Sequence, residues 1–336
     1  MRFSPRLVVV ALVAAAFTSP STVAGAPVAV AAASVPDDAQ ILVISVDALN
    51  PTALRRLGHD GAPNLWRLVD EGASTLNART QVEQTVTLPN HASMITGRRI
   101  DAARGGHGVT WNTDMPNTTV QKAAGHPVAS VFSVAHAAGG STALFASKTK
   151  FSLFQRSWPA GIDRAMIVEE QDAALAIAVR EDLLTQDRAF TFLHLGGPDK
   201  TGHASGYMGA EYLAAVQRID GLVGKILRAA DSKAALDDLT IILTADHGGL
   251  PGSKSHSDAT KLANYRVPFV VWGPGIDPAG LYALNPAYRD PGTKQPSLSG
   301  EQPVRNGNVA NLALDILGFK QVPGSLFGVA DPLKVT

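Results

Sequence analysis

The sequence predicts an α/β fold with three layers, in which a mostly parallel central sheet carries helices on both faces. Two observations lead to this prediction. Several runs of strand length are nearly continuously apolar and rich in β-branched residues, which is typical of strands buried in a parallel sheet. Between them lie longer segments with helical patterns, and strands that alternate with helices favour this architecture.

The first strand candidate is residues 41–46, whose sequence ILVISV ends directly before Asp47. Runs of similar character are residues 128–134, 142–146, 189–195, 239–244 and 267–272. Sites in open α/β sheets form at the carboxyl ends of the strands. The residues that follow these runs are therefore the first candidates for function.

The helix candidates are marked by start and stop signals. Residues 63–71 begin at a proline and are followed by Gly72, and residues 309–317 are followed by Gly318. Two longer candidates are residues 169–184 and 209–229. Residues 275–303 are rich in Gly, Pro and Ser, which predicts an excursion on the surface.

The N-terminus has the pattern of a secretory signal peptide. Arg2 and Arg6 precede an apolar run over residues 7–17, and small residues suited to cleavage lie at 24–26 and 31–33. We therefore expect residues 1–33 to be a leader, cleaved near residue 26 or 33, and the protein to be secreted or held outside the cell. The alternative is an uncleaved anchor. A single catalytic domain is expected over residues 38–333.

Composition excludes several classes of function. The chain has no cysteine, which rules out disulfides, a cysteine nucleophile and zinc bound by thiolates. Lys and Arg total 29 against 29 Asp and Glu, so no stable nucleic-acid partner is expected. No segment after the leader reaches the roughly 18 apolar residues of a membrane span.

Three acidic residues lie at or shortly after strand ends, and histidines accompany them. Carboxylate oxygens and imidazole nitrogens are ligands that zinc and similar divalent ions accept. The set has six members, which divide into two groups of three. This suits two ions that bind the attacking and the leaving oxygen of an in-line displacement. Its members are Asp47, Asp199, His203, Asp246, His247 and His256.

A candidate nucleophile precedes the short helix predicted at residues 92–96. Thr87 at this helix start would meet free backbone N–H groups and the positive end of the helix dipole. Both favour an alkoxide and an incoming phosphate, and metal coordination can activate the hydroxyl. Thr85 is the alternative, two residues earlier.

Five sequence motifs occur in an order that resembles the type I phosphodiesterase/nucleotide pyrophosphatase branch of the alkaline phosphatase superfamily. The resemblance covers about residues 40–257. The motifs are Asp47 after an apolar strand, Thr-x-Pro-Asn-His from Thr87, His-Gly at His107 followed by Asn112, Asp-x-x-Gly-His from Asp199, and Asp-His-Gly-Gly from Asp246.

The resemblance implies an alkaline-phosphatase-like sandwich and a role for each matching residue. Thr87 would be the nucleophile and a metal ligand, and Asn112 would donate to a phosphoryl oxygen. One ion would be bound by Asp47, Asp246 and His247, and the other by Asp199, His203 and His256. The ions are expected to be zinc, with manganese as the alternative, and the substrate a small phosphate ester.

Three other functions were weighed. Sulfatases share this fold, but they use a converted Cys or Ser followed by x-Pro-x-Arg, whereas residues 87–91 read TLPNH. A phosphodiesterase fits best, with a phosphomonoesterase or phosphonate-type hydrolase as the enzymatic alternative. A secreted, metal-stabilised binding protein is the non-enzymatic alternative.

Several polar residues are expected to play no part in the chemistry. His91 and His107 are interpreted as structural. Lys148, after the strand candidate at residues 142–146, is interpreted as a surface lysine, with contact to an anion as the alternative. The histidines that carry no motif are His59, His126, His136 and His194.

Overall fold

The fold is built on one eight-stranded mixed sheet, seen in a computed structural model that describes Met1 and residues 39–336. The predicted leader, residues 1–33, lies outside the described range 39–336 and stays a prediction, as does the domain boundary at residue 38. The strands are β1 (Gln40–Val46), β2 (Ala73–Arg79), β3 (Thr142–Ala146), β4 (Arg164–Ile167), β5 (Phe190–Leu195), β6 (Leu239–Thr244), β7 (Arg266–Trp272) and β8 (Ala279–Gly280).

Strand order in the sheet is β4-β3-β5-β1-β6-β7-β2-β8. The run from β4 to β6 is parallel, β7 is antiparallel to both β6 and β2, and β2 pairs with β8 in parallel. Strand β1 lies inside the parallel part, between β5 and β6, and is buried along its whole length. The prediction of a mostly parallel α/β sheet is therefore confirmed.

The α-helices of residues 39–336 connect and cover these strands. They are α1 (Pro51–Gly61), α2 (Pro63–Glu71), α3 (Thr87–Thr96), α4 (Val120–Ala124), α5 (Val131–Ala137), α6 (Ser152–Ser157), α7 (Asp172–Thr185), α8 (Gly197–Ser205), α9 (Ala210–Ala230), α10 (Leu262–Tyr265), α11 (Leu281–Leu284) and α12 (Val309–Ile316). In the part of the chain that the structure describes, none of them is both long and apolar enough to cross a membrane.

Helix α9 shows how the sequence pattern produces packing. Its apolar residues recur at helical spacing, and that stripe is buried. Asp220 lies on the same helix and is buried too, because its carboxylate accepts hydrogen bonds from the backbone N–H groups of Asn64 and Leu65 at 2.9 and 2.8 Å. The carboxylate therefore caps the first turn of α2, which docks the two helices together.

The strand predicted at residues 128–134 is wrong. The chain forms helix α5 there, and it begins with a capping box in which Ser130 and Ser133 each bind the backbone of the other. The buried residues Val131, Phe132 and Ala135 also follow helical spacing. The surface excursion predicted at 275–303 is largely irregular but includes β8 and α11.

Candidate active site

The candidate site lies at the carboxyl ends of four neighbouring parallel strands, β3, β5, β1 and β6. Asp47 follows β1 directly, Asp246 follows β6 by two residues, and Asp199 stands in the first turn of α8 after β5. Lys148 follows β3 by two residues. Parallel strands end at one edge of a sheet, and residues distant in sequence therefore meet there.

The first ligand group consists of Asp47, Asp246 and His247, whose ligand atoms all lie within 4.8 Å of one another. His247 Nε2 is 3.4 Å from Asp47 Oδ1 and 3.2 Å from Asp246 Oδ2. All three of these atoms are buried and lack a hydrogen-bond partner among the described residues. Buried polar atoms are normally paired, so an arrangement of this kind fits a cation.

The backbone turn after β1 is hydrogen-bonded to this ligand group. Ala48 has φ of +60°, a left-handed conformation that costs energy for a residue with a side chain. Its N–H donates to Asp246 Oδ1 at 3.1 Å, and its carbonyl accepts from the Tyr212 hydroxyl at 2.6 Å. These two hydrogen bonds stabilise the strained conformation of Ala48, directly after Asp47.

The second ligand group consists of Asp199, His203 and His256. The Nε2 atoms of His203 and His256 lie 3.4 and 3.6 Å from Asp199 Oδ1 and 3.3 Å from each other. His247 joins the two groups, since its ring stacks on that of His256 at 3.5 Å and it also forms a compact set with Asp199 and His256. The structure thus brings together two groups of Asp and His that could hold a metal ion.

The three histidines of these groups are oriented in the same way. Their Nδ1 atoms lie 2.7 Å from the carbonyl of Lys254 for His203, 2.8 Å from that of Gly248 for His247 and 2.6 Å from that of Thr85 for His256. A carbonyl can only accept, so Nδ1 carries the proton and Nε2 keeps its lone pair. Such an outer hydrogen bond fixes the tautomer that metal-binding histidines need.

Thr87 is the first residue of α3 and its hydroxyl is buried without a hydrogen-bond partner in the described residues. His91 ties it to the first ligand group, because His91 Nδ1 lies 2.8 Å from the Thr87 carbonyl and 3.7 Å from Asp246 Oδ2. Thr85 differs: its hydroxyl donates to the His256 carbonyl at 2.6 Å. The geometry therefore favours Thr87 over Thr85 as the hydroxyl that is free to react.

Asn112 lies beside the start of α3. Its Oδ1 accepts from the Leu88 N–H at 3.0 Å and from Lys150 Nζ at 3.2 Å. With the oxygen held by two donors, the side-chain amide presents its NH₂ group, which makes no hydrogen bond within residues 39–336. The half-buried Asn112 can thus donate to a bound anion.

The interpretation of Lys148 as a surface lysine is wrong. Its Nζ lies 2.5 Å from Asp47 Oδ2 and 2.6 Å from Asp199 Oδ2, and only 14% of its side chain is exposed. The carboxyl-end rule that located the three acidic residues also applied here, since Lys148 closely follows a strand. Lysines are mostly exposed in proteins, and this general tendency favoured the surface interpretation over the position of Lys148 after a strand.

His194 and Tyr207 are also part of the site although no motif marked them. His194 Nε2 hydrogen-bonds to Asp47 Oδ2 at 2.9 Å and thus contacts a candidate ligand directly. The Tyr207 hydroxyl donates to Asp199 Oδ1 at 2.7 Å. His194 is a polar residue near the end of a buried strand, and this position could have indicated it. Nothing in the sequence placed Tyr207 beside Asp199.

Burial and charge set the protonation states. Burial opposes the charge on Asp47, yet Lys148 and the hydrogen bond from His194 hold its pKa well below the usual value. Burial, together with the charge of Asp47, raises the pKa of Asp246. Burial lowers the pKa of His247 to about 3, so this imidazole is neutral at pH 7 and keeps a lone pair for a metal.

The other histidines do not join the ligand groups. His107 is buried and its Nε2 bonds to Ser93 Oγ, in keeping with a structural role. His59 pairs with Asp70, His136 lies beside Asp163, and His126 contacts the neighbouring carbonyl of Pro127.

A family model described as type I phosphodiesterase/nucleotide pyrophosphatase matches residues 41–298, which is most of the chain. The chain belongs to this family. The family is a branch of the alkaline phosphatase superfamily, and the resemblance inferred from the motifs is confirmed.

Two solved structures illustrate the shared fold. Murine ectonucleotide pyrophosphatase/phosphodiesterase 5 aligns with a TM-score of 0.64 and 13% identity, covering 88% of this chain and all of the other. A 2-O GAG sulfatase aligns with a TM-score of 0.58 and 14% identity over 88% of this chain and 74% of its own. At this identity, the likeness concerns the fold alone.

Curated relatives match a shorter part of the chain. GPI ethanolamine phosphate transferase 1 of Chaetomium globosum is 37% identical over 101 residues, 30% of this chain and 11% of that protein. The same transferase of Schizosaccharomyces pombe is 35% identical over 96 residues, 28% of this chain and 10% of its own. The match thus spans only about a tenth of the length of these relatives.

Proposed function

We propose that this protein is a secreted, metal-dependent phosphodiesterase/nucleotide pyrophosphatase that acts through a phospho-threonine on Thr87. Membership of the family and the phosphoester chemistry in the relatives' names support the reaction class. The shared fold is compatible with it. The assignment of residues rests on the geometry of the two ligand groups.

One observation carries the proposal. Of the thirteen buried side-chain atoms that lack a hydrogen-bond partner in the described part of the chain, four belong to the four residues assigned to one ion: Asp47 Oδ1, Thr87 Oγ1, Asp246 Oδ2 and His247 Nε2. Burying unpaired polar atoms costs about 1–3 kcal/mol each, and a protein that gained nothing from them would satisfy them. A divalent cation held by these four residues would satisfy them.

Two divalent ions, zinc or alternatively manganese, would fit the two ligand groups, since Asp and His accept both metals. Bound there, they would lower the pKa of the Thr87 hydroxyl and offset negative charge on the attacking and leaving oxygens. The first ion would be held by Asp47, Thr87, Asp246 and His247. Asp199, His203 and His256 would hold the second.

The residues of the chain supply the remaining steps. The Thr87 hydroxyl oxygen loses its proton to solvent and attacks phosphorus in line, the P–O bond to the leaving alcohol breaks, and the leaving oxygen takes up a proton from solvent. Asn112 donates its NH₂ to a non-bridging oxygen and steadies the charge that develops there. Water then attacks the phospho-threonine, which restores the Thr87 hydroxyl and releases the phosphate product.

The acceptor in the second step separates two candidate functions. Water as acceptor gives a hydrolase of diesters, with phosphomonoesters or phosphonates as the alternative substrates. An alcohol as acceptor would give a transferase, a reaction named for the relatives that match 30% of the chain. Both share the first step, so both require Thr87.

The test is a panel of chromogenic esters with purified protein and zinc or manganese. We expect bis-p-nitrophenyl phosphate to be cleaved faster than p-nitrophenyl phosphate, and p-nitrophenyl sulfate least of all. Thr87→Ala should lower kcat/KM by about 10³-fold or more, whereas Thr87→Ser keeps a hydroxyl and much of the activity. Glycerol added as acceptor, with product masses measured, reports any transfer to an alcohol.

Each contrary result has a distinct meaning. Near-wild-type turnover by Thr87→Ala would disprove the nucleophile, and turnover that survives exhaustive chelation would disprove the metal model. Absence of turnover on every ester, with ions bound, would favour the metal-stabilised binding protein.

A further inference from the structure

Lys148 lies between the two ligand groups and contacts both. Its Nζ is 2.5 Å from Asp47 Oδ2 and 2.6 Å from Asp199 Oδ2. The opposite oxygens of the same carboxylates face the histidines, with Asp47 Oδ1 3.4 Å from His247 Nε2 and Asp199 Oδ1 3.4 Å from His203 Nε2. The lysine therefore leaves the inward oxygen of each carboxylate available to its own group.

The charges of this region require a cation. Asp47, Asp199 and Asp246 are all buried. Within residues 39–336, Lys148 is the one Lys or Arg that forms an ion pair with any of these three. Burying a carboxylate without a partner is expensive, so an ammonium group at this place offsets a large cost.

Neighbouring contacts fix Lys148 in this place. It follows β3, which pairs with β5, and Ser147 just before it binds the Gly196 N–H at 2.8 Å. That bond holds the end of β3 against the start of α8, the helix that carries Asp199. Lys150, two residues on, instead donates to Asn112, so the two lysines have separate partners.

We propose that Lys148 is a positioning residue, an internal counter-ion that binds the outward oxygens of Asp47 and Asp199 and keeps both ligand groups assembled before any metal arrives. The metal part of this inference rests on the proposed function. It goes beyond that function by assigning to Lys148 a task in the metal-free protein.

The consequence is a stability effect that depends on metal. Without ions, removal of the ammonium group leaves the buried carboxylates of Asp47 and Asp199 with no cation. With ions bound, the same carboxylates have divalent partners and the loss matters less. A residue with an ordinary packing role would instead cost the same stability in both states.

The experiment compares thermal unfolding of wild type and Lys148→Met, each purified with zinc and measured both with zinc and after chelation. We expect the chelated variant to unfold about 5–10 °C below the chelated wild type. Saturating zinc should close at least half of that gap. Lys150→Met is the matched control, and its Tm after chelation should stay within about 2 °C of wild type, since Lys150 contacts none of the carboxylates.

Equal Tm values for the two chelated proteins would overturn the proposal, and so would a gap that zinc leaves unchanged. If Lys148→Met cannot be recovered even with zinc, Lys148→Arg replaces it. This variant keeps the charge and must retain most of the metal-free stability. If neither zinc nor manganese raises the Tm of the wild type, the metal sites of the proposed function are disproved. That outcome differs from one in which metal raises the Tm of wild type and variant equally, which disproves only the role of Lys148.

Discussion

The role of each histidine depends on which ring nitrogen the protein leaves available. His247 has Nδ1 held by a backbone carbonyl and Nε2 without a hydrogen bond. In His91 both nitrogens are engaged, by the Thr87 carbonyl and by Ser45 Oγ. The residue type is the same, and only the hydrogen-bond partners separate a candidate ligand from a structural histidine.

His107 belongs to the structural group and makes folding sensitive to acid. Burial lowers its pKa to about 3, from an ordinary value near 6.5. Below pH 6.5 the unfolded chain takes up this proton while the folded protein does not. The contribution of His107 to the unfolding free energy is therefore fully present above pH 6.5 and is lost as the pH falls toward 3. At pH 5 the loss is about 2 kcal/mol.

Denaturant unfolding of chelated wild type and His107→Gln at pH 7.5 and 5.0 measures this effect. The variant loses two hydrogen bonds, to Ser93 and Val109, and should be the less stable protein at pH 7.5. Between pH 7.5 and pH 5.0, the unfolding free energy of the variant should fall by about 2 kcal/mol less than that of wild type. Equal losses in the two proteins would show that His107 takes up its proton in the folded state.

Between neighbouring elements, close packing rather than backbone freedom explains two glycines of the motifs. A Cβ on Gly202 of α8 would lie 2.0 Å from the ring of Tyr207, and one on Gly249 would lie 2.3 Å from the same ring. Neither Gly248 nor Gly249, the two glycines after His247, has a positive φ, so a left-handed turn does not explain them. Gly202 and Gly249 leave room for Tyr207, which binds Asp199, whereas a Cβ on Gly248 would lie 2.2 Å from the carbonyl oxygen of Ala263.

Gly202→Ala should therefore displace Tyr207. We expect a loss of about 1–3 kcal/mol in unfolding free energy, typical of an overpacked site, together with weaker metal binding because Asp199 loses its hydroxyl donor. Gly221→Ala on α9 is the matched control. A Cβ there meets nothing within 4 Å, so a helical alanine should raise stability by about 0.5–1 kcal/mol.

Denaturant unfolding and metal titration of both glycine variants provide the measurement. Tyr207→Phe, which keeps the ring and removes the hydroxyl, separates packing from the hydrogen bond. A Gly202→Ala protein as stable as the Gly221→Ala protein would contradict the packing argument.

Elements with a strong periodic pattern could be predicted from the sequence. The strand predicted at residues 239–244 and the helix at residues 63–71 agree with β6 and α2 at both ends. The strand predicted at residues 128–134 failed because those seven residues are apolar enough for either element, and a local capping box decides for the helix. Short apolar runs do not distinguish the two by themselves.

Site residues could be predicted where a motif or a strand end marked them. Asp47, Asp199 and Asp246 follow buried strands, and the structure brings them together with their histidines. Tyr207 lies only eight positions from Asp199, but no motif marks it. Lys148 was not assigned to the site, because its contacts join segments far apart in sequence. Lys148 and Asp47, for example, are separated by 101 positions.

Across the whole molecule, the site depends on segments from both halves of the chain. Asn306, near the C-terminus, donates to the carbonyls of Ala245 and Asp246 at 3.3 Å and to Asn90 Oδ1 at 3.1 Å. Thr85 and His256 are joined by two hydrogen bonds of 2.6 Å. The helix that begins with Thr87 is thereby fixed against the loops that carry the candidate ligands.

Export is a prediction for the chain as a whole. The leader pattern predicts that the protein, expressed from the full sequence in a bacterium with general secretion, leaves the cytoplasm with its N-terminus shortened. The intact mass of the exported protein should correspond to a start near residue 27 or 34. A protein of full mass that stays with the membrane would instead support the uncleaved anchor.

The wide spacing of the candidate ligands has a practical consequence. They run from Asp47 to His256, and they meet only where strands from separate parts of the chain end side by side. A nicked, truncated or misfolded copy should not assemble both groups. If the proposed ions bind, the number of ions per chain in a purified sample becomes a direct quality control, counting intact molecules before any substrate is known.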